Sequence, residues 1–187
     1  EFTFRKRNYR IRIVGAAIYP QGYAAIAHMI SHLAGSTMLC DIGNGTMNIL
    51  RTLGPEVDMN QMFTEKYGVQ QCVLAIQEAL MREHHAQVEE PIIHSFLQNG
   101  TAGIDGELEE SMRRVAKDYA GMVFRRLREH GYDPRLMKLY VVGGGGCLLK
   151  NFFPIDANKV ILIDDICATA KGYEYLADLR NEVGGQR

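Results

Sequence analysis

A short apolar run passes directly into a glycine-rich turn at Thr37-Met38-Leu39-Cys40-Asp41-Ile42-Gly43-Asn44-Gly45-Thr46. Residues 37–40 predict a strand buried on both faces, because continuous apolar runs of this length occur where helices cover both sides of a sheet. Asn44-Gly45 favours a hairpin with a two-residue type I′ turn, which needs positive φ at both positions. Met47, Ile49 and Leu53 then predict the returning strand.

The residues ahead of this segment are typical of β structure. Phe2 and Phe4 alternate with polar neighbours, and residues 6–8 supply a turn. A second alternating segment begins at Tyr9 and ends at Pro20. We therefore expect two paired strands before the first helix.

Strands and helices alternate along the rest of the chain. Apolar residues at helical spacing predict helices over residues 21–33, 68–84, 107–129 and 168–179. Continuous apolar runs predict buried strands over residues 139–142 and 160–163. Gly54-Pro55 predicts a polar loop, and residues 91–106 a variable connection. This alternation indicates an α/β fold with a largely parallel sheet.

Composition excludes several classes of protein. The 187 residues are 47% hydrophobic and 23% charged, which is typical of a folded chain and not of a disordered tail or a disulfide-stapled miniprotein. A net charge of −1 gives no electrostatic reason to expect direct binding to DNA. No apolar run approaches the roughly 20 residues of a membrane span, and the first residues are not a signal peptide. Four widely spaced cysteines predict reduced thiols in a cytoplasmic protein.

Two glycine-rich turns each follow a predicted buried strand, at the sheet edge where α/β proteins bind ligands. In the first, glycines allow backbone N–H groups to approach an anion closely, and Thr46 adds a hydroxyl. Asp41 would be repelled by a phosphate, so its chemical role there would be to hold a hydrated Mg2+. An ordinary Asn-Gly hairpin explains the same residues without any ligand.

Other candidates also have two interpretations. The second turn, residues 143–146, serves either tight packing or a flat ligand such as a purine nucleoside. Gln21 is either a polar residue at a helix start or an amide that orients a water molecule. Asp164-Asp165 is either a catalytic carboxylate pair or a loop that caps the last helix.

Four segments occur in a familiar order: Pro20-Gln21-Gly22-Tyr23-Ala24-Ala25, Asp41-Ile42-Gly43-Asn44-Gly45-Thr46, Val141-Val142-Gly143-Gly144-Gly145-Gly146 and Ala168-Thr169-Ala170-Lys171-Gly172-Tyr173. In this order they resemble the actin-like ATPases, and in particular the ParM/StbA-like plasmid-segregation branch. The resemblance spans about residues 9–179. It implies an α/β actin-like ATPase (ribonuclease H-like) domain, with a mixed sheet flanked by helices and a small helical or variable subdomain inserted.

The resemblance also implies the site. Gln21 would position the attacking water, and Asp41 would act through Mg2+, which it holds by way of water. The phosphates of ATP would be held by Gly43, Asn44, Gly45 and Thr46. The adenosine would be bordered by Gly143, Gly144, Gly145 and Gly146. ATP and Mg2+ are thus the expected cofactors, and Gln21 and Asp41 the expected catalytic residues.

The chain departs from the family pattern in two places. Met47-Asn48 stands where Thr-Asp often follows the hairpin, and no first Asp-x-Gly phosphate hairpin precedes Gln21. We therefore expect the second, C-terminal half of such an ATPase. Residues 1–20 would be remnant strands of the first domain and residues 21–187 the second domain, with its variable subdomain at about 54–138. Such a half should bind ATP weakly and hydrolyse it negligibly by itself.

By this resemblance the parent would be a cytoplasmic ATPase that polymerises with ATP and Mg2+ and segregates plasmid or mobile-element DNA. Its partners would be other protomers of its filament and a DNA-binding adaptor protein, rather than DNA directly or a membrane. Two alternatives remain open at this point. One is half of a sugar or acid kinase of the same superfamily, and the other is a non-catalytic interaction domain that has kept the fold.

Overall fold

The computed structural model describes residues 1–13, 15–30, 33 and 35–184. In chain order the elements are β1 (Phe2–Phe4), β2 (Arg7–Tyr9), α1 (Tyr23–Ile30), β3 (Ser36–Ile42), β4 (Met47–Leu53), β5 (Glu56–Glu65), α2 (Val69–His84), α3 (Glu90–Asn99), α4 (Gly106–Glu129), β6 (Lys138–Val142), α5 (Gly146–Phe152), β7 (Val160–Leu162) and α6 (Ala168–Gly184). None of the helices among these residues combines the length and apolarity needed to cross a membrane.

Five strands form one mixed sheet in the order β5-β4-β3-β6-β7. β3, β6 and β7 run parallel, whereas β3, β4 and β5 are joined as antiparallel neighbours. The mixed sheet flanked by helices is therefore confirmed, and the largely parallel sheet expected from the alternation is wrong. The reason is that short hairpins join β3 to β4 and β4 to β5, and only helical crossovers return a strand in parallel.

Helices cover both faces of the sheet, and each face has its own core. Even-numbered residues of β3, such as Met38 and Cys40, point into a large core formed with α2, α3, α4 and α5. Odd-numbered residues, such as Leu39, point into a smaller core formed with α1. β3 is buried on both faces for this reason, as its apolar run predicts. All four cysteines are free thiols.

The outer helix α6 lies directly against α1, and a glycine makes this possible. A Cβ atom at Gly172 would overlap the backbone carbonyl of Ala24 and lie 3.1 Å from its Cα. α1 matches this close approach with small side chains, since Ala24, Ala25 and Ala27 are all buried. The two helices therefore cross at backbone contact distance.

The segment ahead of α1 differs from its prediction. β1 and β2 pair, but the turn between them is Arg5-Lys6, with φ of 48° and 64°, and not residues 6–8. The strand expected from Tyr9 to Pro20 ends at Tyr9. Residues 10–13 and 15–20 are not in a strand, and Ile11 and Ile13 are exposed, because no neighbouring strand pairs with them among the described residues. Val14 lies outside the described residues.

Three elements lie where the sequence predicts loops. The polar loop after Gly54-Pro55 is a tight turn into β5, and the variable connection contains α3. α5 begins within the second glycine-rich turn. The helix predicted over residues 21–33 is α1, which begins at Tyr23; residues 31 and 32 of the prediction lie outside the described part of the chain.

Candidate functional site

The carboxylate of Asp41 lies between two glycines from different parts of the chain. A Cβ atom at Gly22, just before α1, would lie 2.9 Å from the Asp41 Cβ. A Cβ at Gly143, just after β6, would lie 2.7 Å from Asp41 Oδ1. Both glycines have positive φ, 80° and 85°, so any other residue would meet backbone strain as well as contact. The structure thus brings Asp41, the start of α1 and the second glycine-rich turn together.

The four glycines after β6 do different things. Gly143 packs on the Ile42 carbonyl, and Gly145 donates its N–H to the same oxygen at 3.0 Å. A Cβ at Gly145 would lie 2.5 Å from the Ile42 Cβ. Gly146 is buried at the start of α5, whereas Gly144 is exposed with no atom near its Cβ position. Close packing on the end of β3 therefore accounts for Gly143 and Gly145, whereas Gly144 is exposed and has open space at its Cβ position.

The turn between β3 and β4 is not type I′, because neither Asn44 nor Gly45 has positive φ. A contact with the next helix explains the difference. The carbonyls of Gly43 and Asn44 accept hydrogen bonds from the N–H groups of Val69 and Gln70, at 3.0 and 2.9 Å. The turn is therefore shaped by the start of α2, and not by the local preference of its own two residues.

This contact decides which backbone N–H groups are open to a ligand. Those at the start of α2 are occupied, since Val69 and Gln70 bond the turn and Gly68 donates to the Gln71 side chain at 2.9 Å. Within the described residues, the N–H groups of Asn44, Gly45 and Thr46 bond no protein acceptor. Three consecutive free N–H groups in a turn are suited to an anion.

An open cleft of about 500 Å3 lies beside these groups. Of the residues that the sequence predicts for the site, it is lined by Gly43, Asn44, Gly143 and Gly144. Gln21, Asp41, Gly45, Thr46, Gly145 and Gly146 do not line it. Asp41 is nevertheless adjacent through its contact with Gly143. The two glycine-rich turns therefore share one cleft, and Asp41 lies outside its lining, against Gly143.

One wall of the cleft comes from α3, which the sequence analysis missed. His94, Leu97 and Gln98 of this helix line the cleft. A signal for the helix was present, since Pro91 lies in its first turn and Gly100, with φ of 80°, ends it. Recognising those two boundaries would have placed His94 and Gln98 on a helix.

Asp164 and Asp165 line the same cleft but are engaged elsewhere. Asp165 Oδ1 accepts the N–H of Cys167 at 2.8 Å, and its Oδ2 accepts a hydrogen bond from Lys171 at 2.6 Å. These bonds lower the pKa of the Asp165 carboxyl below its ordinary value. Asp164 pairs with Lys150 at 3.3 Å. Asp165 therefore organises the entry to α6, which is the second of the two interpretations above.

Asp41 is half-buried, and burial raises the pKa of its carboxyl above the ordinary value. The nearby side-chain amide of Gln21 acts in the opposite direction and is the smaller effect. Gln21 and Asp41, 20 residues apart in sequence, are thus close enough for the amide to influence the carboxyl. Among the described residues, no group of three or more His, Cys, Asp or Glu could hold a metal ion by itself.

Asp41→Asn should stabilise the chain, and increasingly so as pH rises. Because the pKa of Asp41 is higher in the folded state than in the unfolded state, folding favours its protonated form. The cost of ionising it builds up as pH rises from the ordinary pKa to the raised one and stays constant above that, and the asparagine variant does not bear this cost. Urea unfolding of both proteins between pH 3 and 8 should therefore show a difference in unfolding free energy that grows through the acidic range and then levels off.

Asp118→Asn is the matched control, because Asp118 is exposed on α4. It should change the unfolding free energy by no more than about 0.5 kcal/mol. A gain for Asp41→Asn that did not grow as pH rose from 3, or that shrank, would contradict the burial argument.

No protein-family model and no curated protein sequence matches the chain. Solved structures do match it. The archaeal actin homolog Ta0583 aligns with a TM-score of 0.69 at 20% identity, over 87% of this chain and 55% of that one. Its complex with ADP aligns with a TM-score of 0.66 at 19% identity, over 86% and 56%. A ParM filament from Clostridium botulinum aligns with a TM-score of 0.67 at 18% identity, over 92% and 56%.

These alignments use most of the present chain but little more than half of each solved chain. At 18–20% identity the likeness is one of fold. The chain therefore has an actin-like fold of the ParM type.

Proposed function

We propose that the chain is the nucleotide-binding second domain of an actin-like ATPase. The observation that carries this proposal is that two glycine-rich turns line a single cleft and that a half-buried carboxylate, Asp41, lies against one of them. The free N–H groups of Asn44, Gly45 and Thr46 suit phosphate oxygens. Gly144 offers bare backbone on the opposite side of the cleft, where a flat nucleoside could lie. The complex of Ta0583 with ADP supports a nucleotide as the ligand.

Each candidate residue has a role in this proposal. Gly43, Asn44, Gly45 and Thr46 would hold the phosphates, and Gly143, Gly144, Gly145 and Gly146 would border the adenosine. Gln21 would orient the attacking water, since a neutral amide aligns a water molecule without taking its proton. Its amide is close enough to Asp41 to lower the pKa of that carboxyl, which supports a shared role for the two side chains.

Mg2+ fits the site only with the help of a phosphate ligand. Asp41 is a single carboxylate, and the described residues provide no cluster that would hold a metal ion by itself. Mg2+ is often bound through one or two carboxylates together with substrate phosphates and several waters. Asp41 would hold it through water, and the ion would neutralise phosphate charge.

The chain would act as part of a longer protein, because it spans about half the length of the solved relatives. Residues 1–20 would belong to the strands of a first domain, and residues 21–187 would form the second, with a variable subdomain at about 54–138. Without the first domain, nucleotide would be held on one side only, so the chain alone would bind ATP weakly and hydrolyse little. The whole protein would polymerise with ATP and Mg2+ in the cytoplasm, as the ParM filament of Clostridium botulinum suggests.

In this proposal the filament would segregate plasmid or mobile-element DNA through an adaptor protein. The net charge of −1 supports an indirect connection to DNA. A sugar or acid kinase would need a substrate-binding carboxylate in the cleft. Asp164 and Asp165 lie there, but both are paired with lysines. This observation favours the filament-forming ATPase.

Asp41→Ala in the full-length protein tests the proposed function. We expect ATP turnover to fall by about 100-fold or more, because the variant removes the carboxylate that holds the metal and contacts Gln21. The ATP- and Mg2+-dependent rise in light scattering that reports polymerisation should change with it. Phosphate release and scattering are measured in parallel.

Asp118→Ala, an exposed aspartate on α4, should leave both signals within about twofold of the unmodified protein. Unchanged turnover in Asp41→Ala would indicate a domain that has kept the fold without this chemistry. Turnover that requires an added sugar or organic acid, with no rise in scattering, would indicate the kinase instead.

A further inference from the structure

Asn48 carries a buried polar atom that has no partner. Its side-chain Nδ2 has less than 1 Å2 of exposed surface and bonds no acceptor among the described residues. A buried N–H donor left unpaired is costly, since it has lost its water and gained nothing in exchange. Such groups are rare in folded proteins and call for an explanation.

The strand register places this atom beside the candidate site. Asn48 on β4 is the direct partner of Asp41 on β3 and of Thr64 on β5. Directly opposed residues of antiparallel strands share one face, with Cβ atoms about 5 Å apart. Thr64, Asn48 and Asp41 therefore form one polar row across three strands, on the face that also carries α1.

The amide of Asn48 is oriented within this row. Its Oδ1 accepts a hydrogen bond from the Thr64 hydroxyl at 2.8 Å. Because Thr64 on β5 takes the oxygen, the directly opposed residue left for the nitrogen is Asp41 on β3, although the two are not bonded in the structure. The Asp41 carboxylate meets Gly143 on one side, Gly22 on the other, and the amide of Gln21. These neighbours are uncharged, and no Lys, Arg or His of the described residues forms an ion pair with Asp41, so Asn48 offers the carboxylate a neutral donor.

We propose that Asn48 is a positioning residue for Asp41: its Nδ2 is the donor reserved for the Asp41 carboxylate, and the Thr64 hydroxyl holds the amide in that orientation. Gln21 and Asn48 would then anchor the carboxylate from two sides, one from the start of α1 and one from β4. This inference depends on the proposed function only for the role that it gives to Asp41.

A double-mutant cycle on the 187-residue chain without nucleotide tests the pair. Asn48→Ala, Asp41→Ala and the double variant are compared by urea unfolding at pH 7. We expect the effects to be non-additive by about three- to thirty-fold in the unfolding constant, because contacting groups couple and distant groups do not. Thr64→Val should reduce this coupling, since it frees the amide to rotate.

Thr52→Val is the matched control. Thr52 lies on the same strand, and its hydroxyl is also buried without a partner, but it pairs with Thr37 and not with Asp41. The effects of Thr52→Val and Asp41→Ala on the unfolding free energy should be additive. A spectroscopic measurement complements the cycle: the Asn48 side-chain NH2, identified by NMR from its loss in Asn48→Ala, should exchange with solvent faster in Asp41→Ala.

Additive effects of Asn48→Ala and Asp41→Ala, or an Asn48 NH2 signal that is insensitive to Asp41, would overturn the proposal. Both measurements are made without ATP, so they are independent of turnover. Coupling in this chain together with unchanged turnover in full-length Asp41→Ala would uphold the pair and reject the proposed function. Additive effects of Asn48→Ala and Asp41→Ala, together with lost turnover in full-length Asp41→Ala, would reject the pair and uphold the proposed function.

Discussion

Gly172→Ala should destabilise the chain by about 3 kcal/mol, although alanine normally favours a helix. The added Cβ would overlap the carbonyl of Ala24, which is backbone and cannot rotate away. α1 and α6 would have to separate, and the buried alanines of α1 would lose contacts. Because Gly22 and Gln21 lie at the start of α1, their contact with Asp41 should loosen as well. Urea unfolding at pH 7 measures the loss.

Gly121→Ala is the control, because Gly121 lies inside α4 with no atom within 4 Å of its Cβ position. There the substitution should stabilise the chain by about 0.5–1 kcal/mol, since alanine loses less backbone entropy than glycine in a helix. The same chemical change thus has opposite expected signs in two helices. If Gly172→Ala proved neutral or stabilising, the close crossing of α1 and α6 would be wrong.

Gly143→Ala should cost a similar amount, about 3 kcal/mol, for two combined reasons. Its φ of 85° is a conformation that costs a residue with a Cβ roughly 1–2 kcal/mol. The Cβ would also lie 2.6 Å from the Ile42 carbonyl oxygen and 2.7 Å from Asp41 Oδ1. The carboxylate would be displaced from its place between the two glycines. Unfolding free energy measures the stability loss, and ATP affinity of the full-length protein measures the displacement.

Gly144→Ala, one residue further along, is the matched control. Gly144 has no positive φ and no atom near its Cβ position, so stability should change by no more than about 0.5 kcal/mol. Equal losses at positions 143 and 144 would mean that the whole turn is intolerant of side chains. The specific contact of Gly143 with Asp41 would then not explain the result.

Local pattern was sufficient to predict the elements whose periodicity is strong. β3, α2, α4 and β6 lie within one or two residues of their predicted bounds, because each carries a clear apolar stripe or run. β5 was missed because it is an edge strand: most of its residues, including Met59, are exposed and give no alternating core face. α5 was missed because glycines at its start favour a loop.

The sequence was sufficient to identify several residues of the candidate site but not to predict their geometry. Asp41, Gly43 and Gly143 are recognisable from sequence because glycines follow buried strands. The conformation of Asn44-Gly45 could not be predicted from sequence. Hydrogen bonds from Val69 and Gln70, more than 20 residues away, override the local turn preference. The unpaired Nδ2 of Asn48 could not be predicted from sequence either, because it depends on the strand register and on the hydrogen bond from Thr64.

The bonds between the β3–β4 turn and the start of α2 have a mechanical consequence. Two hydrogen bonds fix the tip of the hairpin to one end of a 16-residue helix, which is about 24 Å long. The other end of α2 is tied to α4, where His84 Nε2 lies 2.8 Å from the Ser111 hydroxyl. The start of α2 is tied to α4 as well, since the Tyr119 hydroxyl donates to the Gly68 carbonyl at 2.8 Å. A ligand that pulled on the tip would therefore work against a helix that α4 holds at both ends.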